Sequence, residues 1–489
     1  MTYRQLLRGN ANFRHLWSGQ VVSEVGDWLN NIAVLALVLE LAGTAYQGRA
    51  IAVYAIARHL PLFLFGPIAG VVVDRTDRRR VMIRADVARA VLAAGFLFAQ
   101  QFSSLPAIYA VGASLFAVSA FFNAAKRAAI PVIVTDPDEL LGANSLSAST
   151  TAATIAVGSA LGGLVATFVS RDLVFVLNAA TFLVSAWMIS RIRLPRTRRA
   201  PEPSPLPLRA FAPSRESSSA STINLTQRRT GAKESGGVET DTVNIAATET
   251  SRVGGSSSHS RVVAGLRRAL FEFREGLRYV RRDGVLAAVF IVAAGWGLGN
   301  GVARALYSVF GARLGELTAS AWAARPRDFG ISVLFVAMGA GGVLGAPVAR
   351  RFNAAGDSLG ARMGRSLVLD GCGLALFAAM PNLWTASLVL IAREMNFAIW
   401  WTAQQTLVMR RTDNAYAGRV FASYETLTTL MMVSSMYAAG AGADAFGIRP
   451  VAAAGGFVIA FSGLLWFLLR RRDRRRAPAA TDAPPHLST

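Results

Sequence analysis

The chain runs to 489 residues, 53% hydrophobic and only 16% charged, yet it carries a formal net charge of +22. So apolar a composition excludes a soluble domain built around one core, and the surplus of base implies a nucleic-acid partner only where Lys and Arg gather on one soluble face. The single cysteine, Cys372, leaves neither a disulfide framework nor a thiolate metal site, and His15, His59, His259 and His486 show no pair at ligand spacing.

Taken in order, the predicted elements are apolar runs long enough to cross a bilayer as helices. Six fall at residues 16–41, 50–73, 81–100, 105–125, 144–169 and 173–190, and six more at 285–311, 330–349, 364–380, 383–409, 420–443 and 450–469. The segment Met1 to Asn12 is basic, but the run after it is too long for a signal-peptide core and lacks a small-residue cleavage site, so a retained first span is expected. Residues 191–264 turn rich in Pro, Ser, Thr and charge, as in Pro201-Glu-Pro-Ser-Pro205, and are expected to form a disordered cytoplasmic linker. Within 263–280, Leu266, Leu270, Phe273, Leu277 and Val280 recur every three or four residues, which predicts an amphipathic helix lying on the inner leaflet. The expected organisation is an all-α membrane protein: a six-helix bundle over 1–190, the linker 191–264, the amphipathic helix with a second six-helix bundle over 265–475, and a disordered tail 476–489.

Basic residues keep to alternate loops. They include Arg4, Arg8 and Arg14, the run from Arg75 to Arg84, Lys126 with Arg127, Arg350 with Arg351, Arg410 with Arg411, and Arg470 to Arg476, whereas the turns around Ser103 and Pro381 have none. This asymmetry predicts a multi-pass protein of the plasma or inner membrane with both termini in the cytoplasm, and it accounts for the charge without nucleic acid. A faint repeat joins the halves: Gly70 stands five residues before Arg75, and Gly345 five before Arg350, each at the basic end of a span. Two six-span halves around a linker are the layout of secondary transporters with internal repeats.

Four segments carry a more specific signal. They are Asn12-Phe-Arg-His-Leu-Trp17 with Gln20 to Trp28, the loop Gly70-Val-Val-Val-Asp74-Arg75-Thr-Asp77-Arg78-Arg79-Arg80, the span-five run Gly158-Ser-Ala-Leu-Gly162-Gly163, and Phe273-Arg-Glu-Gly-Leu-Arg-Tyr-Val280. These resemble the opening, the loop between spans two and three, the antiporter motif and the helix before span seven of the major facilitator superfamily. Within it they resemble the exporter branch of enterobactin and multidrug efflux proteins, of the transmembrane secretion effector type. Two positions depart from the pattern: Asp77 stands where many members have Gly, and Ser159 where the antiporter motif has Pro. The resemblance implies two six-helix bundles that alternate access to a small-molecule site, a monomer in the lipid bilayer, no cofactor, and a proton gradient as energy source.

Each motif has a physical content. Gly70 permits close helix approach, and Asp74, beside Arg75, Arg78 and Arg79, would be costly at the membrane edge without a cation or a helix N-terminus. Its candidate partners are Lys126, Arg127 and the start of span eleven near Gly418 and Arg419. The resemblance implies that this contact is a gate latch stabilising the outward-facing state. Gly158, Gly162 and Gly163 form a small-residue face; the resemblance implies that it slides on span eight, with its Gly339, Gly341, Gly342 and Gly345. Ionisable residues at membrane depth default to function. Asp27 and Glu394 are the candidate proton carriers, the alternative being that they are neutralised structural partners of Arg58 and Arg393, while Asp86 with Arg89, and Glu425, read as structural pairs. The resemblance implies that spans one, four, seven and ten line the cavity, so Trp28, Asn123, Asn300, Arg304, Trp400 and Gln404 are candidate lining residues, with Trp296, Trp401 and Gln405 offering further aromatic and amide surface. Such a wall suits a bulky amphipathic substrate.

The expected function is proton-coupled export of small drug- or siderophore-like molecules. Two alternatives stay open: movement of lipid such as lysophospholipid, and a non-transporting receptor or scaffold acting through the linker. An enzyme is not expected, since no nucleophile with a base, metal cluster or phosphate-binding loop is present.

Overall fold

The computed structural model describes residues 3–193, 271, 273–354, 359–413 and 416–476, which are helical with short turns and, among the described residues, contain no strand. A short α1 (Tyr3–Gly9) precedes six long helices: α2 (Ala11–Leu41), α3 (Gln47–Arg75), α4 (Arg78–Gln101), α5 (Leu105–Ile133), α6 (Pro137–Phe168) and α7 (Arg171–Ser190). After the short helix α8 (273–280) come α9 (Gly284–Ala319), α10 (Pro326–Ala354), α11 (Leu359–Ala379), α12 (Leu383–Arg411), α13 (Ala417–Phe446) and α14 (Ile448–Arg476). Most of the predicted linker and the tail beyond residue 476 lie outside the described residues.

The tight turns work because their last residues cap the helices that follow. Asn10, Asp77, Ser104, Ser170, Asp283 and Asn382 each turn a side-chain oxygen onto the first free N–H groups of α2, α4, α5, α7, α9 and α12. Such N–H groups have no partner inside the helix, and lipid supplies none. Eight of the helices are long and apolar enough to cross a membrane on length and composition alone. The remaining four, α4, α11, α12 and α13, fall short on that measure and pack with the eight into the same fold.

Helices α2–α7 and α9–α14 form two six-helix bundles. In the first, α2 packs on α6 and α7, and α5 on α3 and α4; in the second, α9 packs on α13 and α14, and α12 on α10 and α11. Two seams join the bundles, α6 with α10 and α3 with α13. The loops rich in arginine gather on the side of the molecule that carries α1 and the end of α14, termed here the basic face; the other side is the distal face.

The stretch expected to lie on the leaflet is, in its described part, a strap on protein. Val280 is buried, Ser423 Oγ donates to the Phe273 carbonyl at 3.1 Å, Glu275 pairs with Arg419 at 2.8 Å, and Tyr279 stacks on Tyr416 with ring centroids 4.7 Å apart. Gly276 makes this possible, because a Cβ there would meet the Arg419 backbone and the Ser423 hydroxyl. A 3.6-residue stripe is apolar whether lipid or a neighbouring helix covers it, so periodicity alone did not separate the two.

A cavity between two bundles and the clusters behind it

Between the bundles lies a cavity of about 480 Å³. Trp28 and Asn31 of α2, Tyr54, Arg58 and His59 of α3, and Phe116 of α5 form one wall; Trp296, Asn300, Arg304 and Tyr307 of α9, Trp401 of α12 and Glu425 and Thr428 of α13 form the other. The volume falls in the range of sites for small organic ligands, and the lining is mainly aromatic with a few polar groups, as such sites are.

The distal face is sealed. Along the α6–α10 seam, Ser332 Oγ donates to the Ser159 carbonyl at 2.7 Å and Arg325 Nη1 to the Ala166 carbonyl at 2.9 Å. Arg171 at the start of α7 forks onto Asp328 of α10, with Nε and Nη2 at 2.9 and 2.8 Å from its carboxylate oxygens, and adds Glu40 of α2 at 2.6 Å. Such bidentate, charge-assisted contacts are the strong kind, and Asp328 is fully buried. On the α3–α13 seam, Gly48 and Gly440 bring two backbones together, and Asp444 accepts from the Gly48 and Arg49 amides at 2.7 and 3.1 Å and from Arg49 Nε at 3.0 Å.

On the basic face the same two helices part. A Cβ placed at Gly66 or Gly70 of α3, or at Gly418 of α13, would meet nothing within 4 Å. Gly70 therefore makes no close approach here, contrary to expectation. The predicted latch is likewise open: Asp74 is exposed and, among the described residues, makes no ion pair. Its expected partners are engaged elsewhere, Lys126 with Glu24 at 3.5 Å and Arg419 with Glu275, while Arg127 is exposed. Arg79 donates to the Ser190 carbonyl at the end of α7, and Arg75 is exposed with Arg78 half-buried. The repeat glycine Gly345 differs from Gly70, since a Cβ there would lie 2.9 Å from the Met395 Cα and the Ala398 Cβ of α12.

The intramembrane charges sort into two clusters behind the cavity. Asp27 does not pair with Arg58. It meets Arg89 of α4 at 3.8 Å, and Arg89 is also bonded to Asp86, which accepts from Ser185 Oγ at 2.7 Å. Arg89 lies between the rings of Phe122 and Phe182, 4.1 and 4.4 Å from their centroids, so cation–π contacts help hold it out of water. Asp86 and Arg89 thus form the expected pair, but one that reaches Asp27. In the second bundle Arg393 pairs with Glu394 at 3.3 Å as expected, and also with Asp370 of α11 at 3.1 Å and with the Tyr307 hydroxyl. A third group, Glu24 with Lys126, gathers Gln20, Thr151 and Thr154 around the carboxylate.

Arg58 instead donates to Asn31 and lies over Trp28 and Phe116, 5.1 and 4.9 Å from their ring centroids. Of the expected lining residues, Trp28, Asn300 and Arg304 face the cavity. Trp400 and Gln404 do not: each is 1% exposed, and Trp400 stacks on Trp296 with centroids 4.5 Å apart. The two stand four residues apart on one face of α12, so packing that buries one buries both, and it is Trp401 that turns to the cavity. Asn123 lies two turns beyond Phe116 on the same face of α5, outside the lining. Glu425, expected in a structural pair, lines the cavity and makes no ion pair among the described residues.

The span-five glycines divide between two neighbours. A Cβ at Gly158 or Gly162 would collide with α2, 2.6 Å from the Val25 and Leu29 carbonyls respectively, and only Gly163 faces α10, against Ser332. On α10, Gly339 and Gly342 meet Ala156 and Ala152 of α6, whereas Gly341 and Gly345 meet α12. Only half of the expected glycine face is therefore a seam between bundles. Missed from sequence were Asn31, Tyr54 and Tyr307. The signal was present for the last, because Trp296, Asn300, Arg304 and Tyr307 repeat along one stripe of α9.

Known proteins bear on this architecture. The chain is 33% identical over 184 residues, 37% of its length and 44% of the relative's, to a protein named as a bacilysin exporter, BacE, of Bacillus subtilis (strain 168). It is 25% identical over 187 residues, 38% of the chain and 45% of the relative, to Macrolide efflux protein A of Streptococcus pyogenes. The chain thus spans less than half the length of the curated relatives it matches. The fold superposes with a TM-score of 0.61 on the crystal structure of a bacterial homologue of the iron transporter ferroportin in its inward-facing state, at 12% identity over 95% of this chain and 99% of that one. Residues 16–436 match the Major Facilitator Superfamily, and with that span covering most of both bundles the chain belongs to this family.

Proposed function

We propose that the protein is a secondary transporter exporting small organic molecules of the drug or siderophore kind by alternating access, driven by proton antiport, with both termini cytoplasmic. The observation that carries this is the cavity between the bundles, sealed at the distal face by the Arg171–Asp328–Glu40 and Asp444–Arg49 contacts and parting at the basic face. With the basic face cytoplasmic, this is an inward-facing state ready to load. The names of the two relatives, exporter and efflux protein, support the direction.

Asp27 and Glu394 are the proton carriers in this proposal. Each shares an arginine with a second carboxylate, Asp86 or Asp370, so a proton arriving on one acid frees the guanidinium for the other and loosens that end of the cluster. One charge moved across 100 mV is worth about 2.3 kcal/mol, so losing one coupled proton lowers the attainable gradient about fiftyfold.

The test is a resistance and uptake screen in an efflux-deficient host, followed by transport in everted vesicles with and without a protonophore. Protonophore-sensitive accumulation is expected, and Asp27→Asn and Glu394→Gln should each abolish it while downhill exchange persists. Accumulation against the gradient at wild-type level in both variants places the proton site elsewhere or removes antiport altogether.

A further inference from the structure

The charged side chains on the cavity wall are Arg58, Arg304 and Glu425, with His59 beside them donating its Nδ1–H to the Ala55 carbonyl, 2.8 Å away. Among the described residues Arg58 touches no carboxylate, and its one hydrogen bond goes to the neutral Asn31 amide. Arg304 and Glu425 make no side-chain hydrogen bond or ion pair among the described residues. Among the described residues neither guanidinium therefore has a carboxylate in contact. The acids nearest behind the wall, Asp27 and Glu394, meet Arg89 and Arg393, each of which also serves a second acid, Asp86 or Asp370. Open to water, Arg58 and Arg304 are solvated. Once the bundles close over the site that solvation is lost, and an unpaired charge in a low-dielectric enclosure is costly. A carboxylate seated between Arg58 and Arg304 gives both guanidinium groups a partner in that enclosure.

We propose that the cargo is an amphipathic organic monoanion, a carboxylate on an aromatic or alicyclic body, held between Arg58 of one bundle and Arg304 of the other. The inference rests on the transporter proposal above and deepens it. A guanidinium presents a planar fork that matches a carboxylate, and Arg58 lies over the Trp28 and Phe116 rings with Nη1 spent on Asn31, so Nε and Nη2 are left to offer that fork. Trp28, Tyr54, Phe116, Trp296, Phe335 and Trp401 supply the apolar surround for the body of the molecule. Because the two arginines come from opposite bundles, a bound carboxylate also bridges the halves, which links loading to closure.

The test uses the purified full-length chain in nanodiscs and three matched probes: 4-phenylbutyrate, 4-phenylbutyramide and 4-phenylbutylamine. Binding is followed by intrinsic tryptophan fluorescence, since Trp28, Trp296 and Trp401 line the site. The carboxylate is expected to bind at least about tenfold tighter than the amide or the amine, with an affinity that falls as salt rises. Arg304→Gln, at a side chain with no partner to lose, should cost about tenfold for the carboxylate and leave the amine unchanged or improved. Arg58→Gln should do the same, and Arg58→Lys, which keeps the charge, should restore part of the loss. Equal or tighter binding of the amine or amide, carboxylate binding indifferent to both arginines, or binding of none of the three overturns the proposal. Everted vesicles separate this from the transporter proposal: driven uptake of the amine without the carboxylate sinks the cargo class alone, whereas carboxylate binding without any transport sinks the transporter.

Discussion

The two ends of the α3–α13 seam contrast sharply. At the distal end, Gly48 and Gly440 let the backbones touch and Asp444 ties down two amides and a guanidinium; at the basic end, a Cβ at Gly66, Gly70 or Gly418 would meet nothing within 4 Å, and Asp74, the acid best placed to tie them, makes no ion pair among the described residues. Both ends carry glycines and an acid near arginines, so composition does not distinguish them. What differs is whether the partner helix is present, and that is a property of the state the bundles adopt. The seal is a set of directional contacts concentrated at a few residues, and an element built this way can be fully made or fully broken.

The largest expected effect follows from removing the buried acid of the seal. Asp328→Ala leaves Arg171, whose side chain is 9% exposed, with only the half-exposed Glu40. Breaking one partner of a buried pair costs about 3 kcal/mol. Thermal unfolding of the purified variant should show the loss. In a Cys372→Ala background, Thr428→Cys on the cavity wall should also become open to an impermeant thiol reagent added outside intact cells. Unchanged labelling would mean that the seal does not gate the cavity.

Next come the seam glycines. Gly163→Val places a side chain on the Ser332 hydroxyl, so the α6–α10 seam must part. Overpacking of this kind costs about 1–3 kcal/mol, and the same outside labelling at Thr428→Cys should rise while transport falls. Gly345→Ala should cost about 1–3 kcal/mol as well, because its Cβ would lie 2.9 Å from the Met395 Cα within one bundle, but without exposing the cavity. A variant that opened the cavity from Gly345 would erase the distinction between packing inside a bundle and packing across the seam.

The open end predicts the smallest changes in stability. Gly70→Ala adds a methyl that meets nothing and should stabilise this state by about 0.5–1 kcal/mol through helix propensity. Asp74→Asn should leave stability within about 0.5 kcal/mol of the parent. Any fall in transport in either variant then arises in the other state, where α3 and α13 meet at the basic face. Normal transport in Asp74→Asn would remove the latch from the mechanism, whereas a large loss of stability would mean that Asp74 is tied down in the resting protein.

How much was legible in the sequence varied with the length scale of the interaction. The twelve spans were readable because lipid imposes one rule on every residue of a run, and Trp28, Asn300 and Arg304 were placed on the cavity because the resemblance implies that spans one, four, seven and ten line it. Which of Trp400, Trp401 and Gln404 faces the cavity was not readable, since the choice among adjacent faces depends on the rotation of α12 about its axis, which the packing of whole helices sets. Pairing was the hardest to read. Asp27 had several arginines within reach on neighbouring helices, and Arg89 won because two rings, Phe122 and Phe182, hold it in place.

By itself the sequence determined the bundle count, the alternation of basic and base-poor turns, the capped turns and the supply of small residues for close helix contacts, all of which depend on local composition against the uniform demands of lipid and water. Tertiary structure alone decided which glycines serve the seam, that Arg419 is held by Glu275 and Lys126 by Glu24 instead of Asp74, and that Arg58, Arg304 and Glu425 are left unpaired around one cavity. The physical reason is that a charge or a glycine has several candidate neighbours across a bundle, and only the packing of whole helices selects among them.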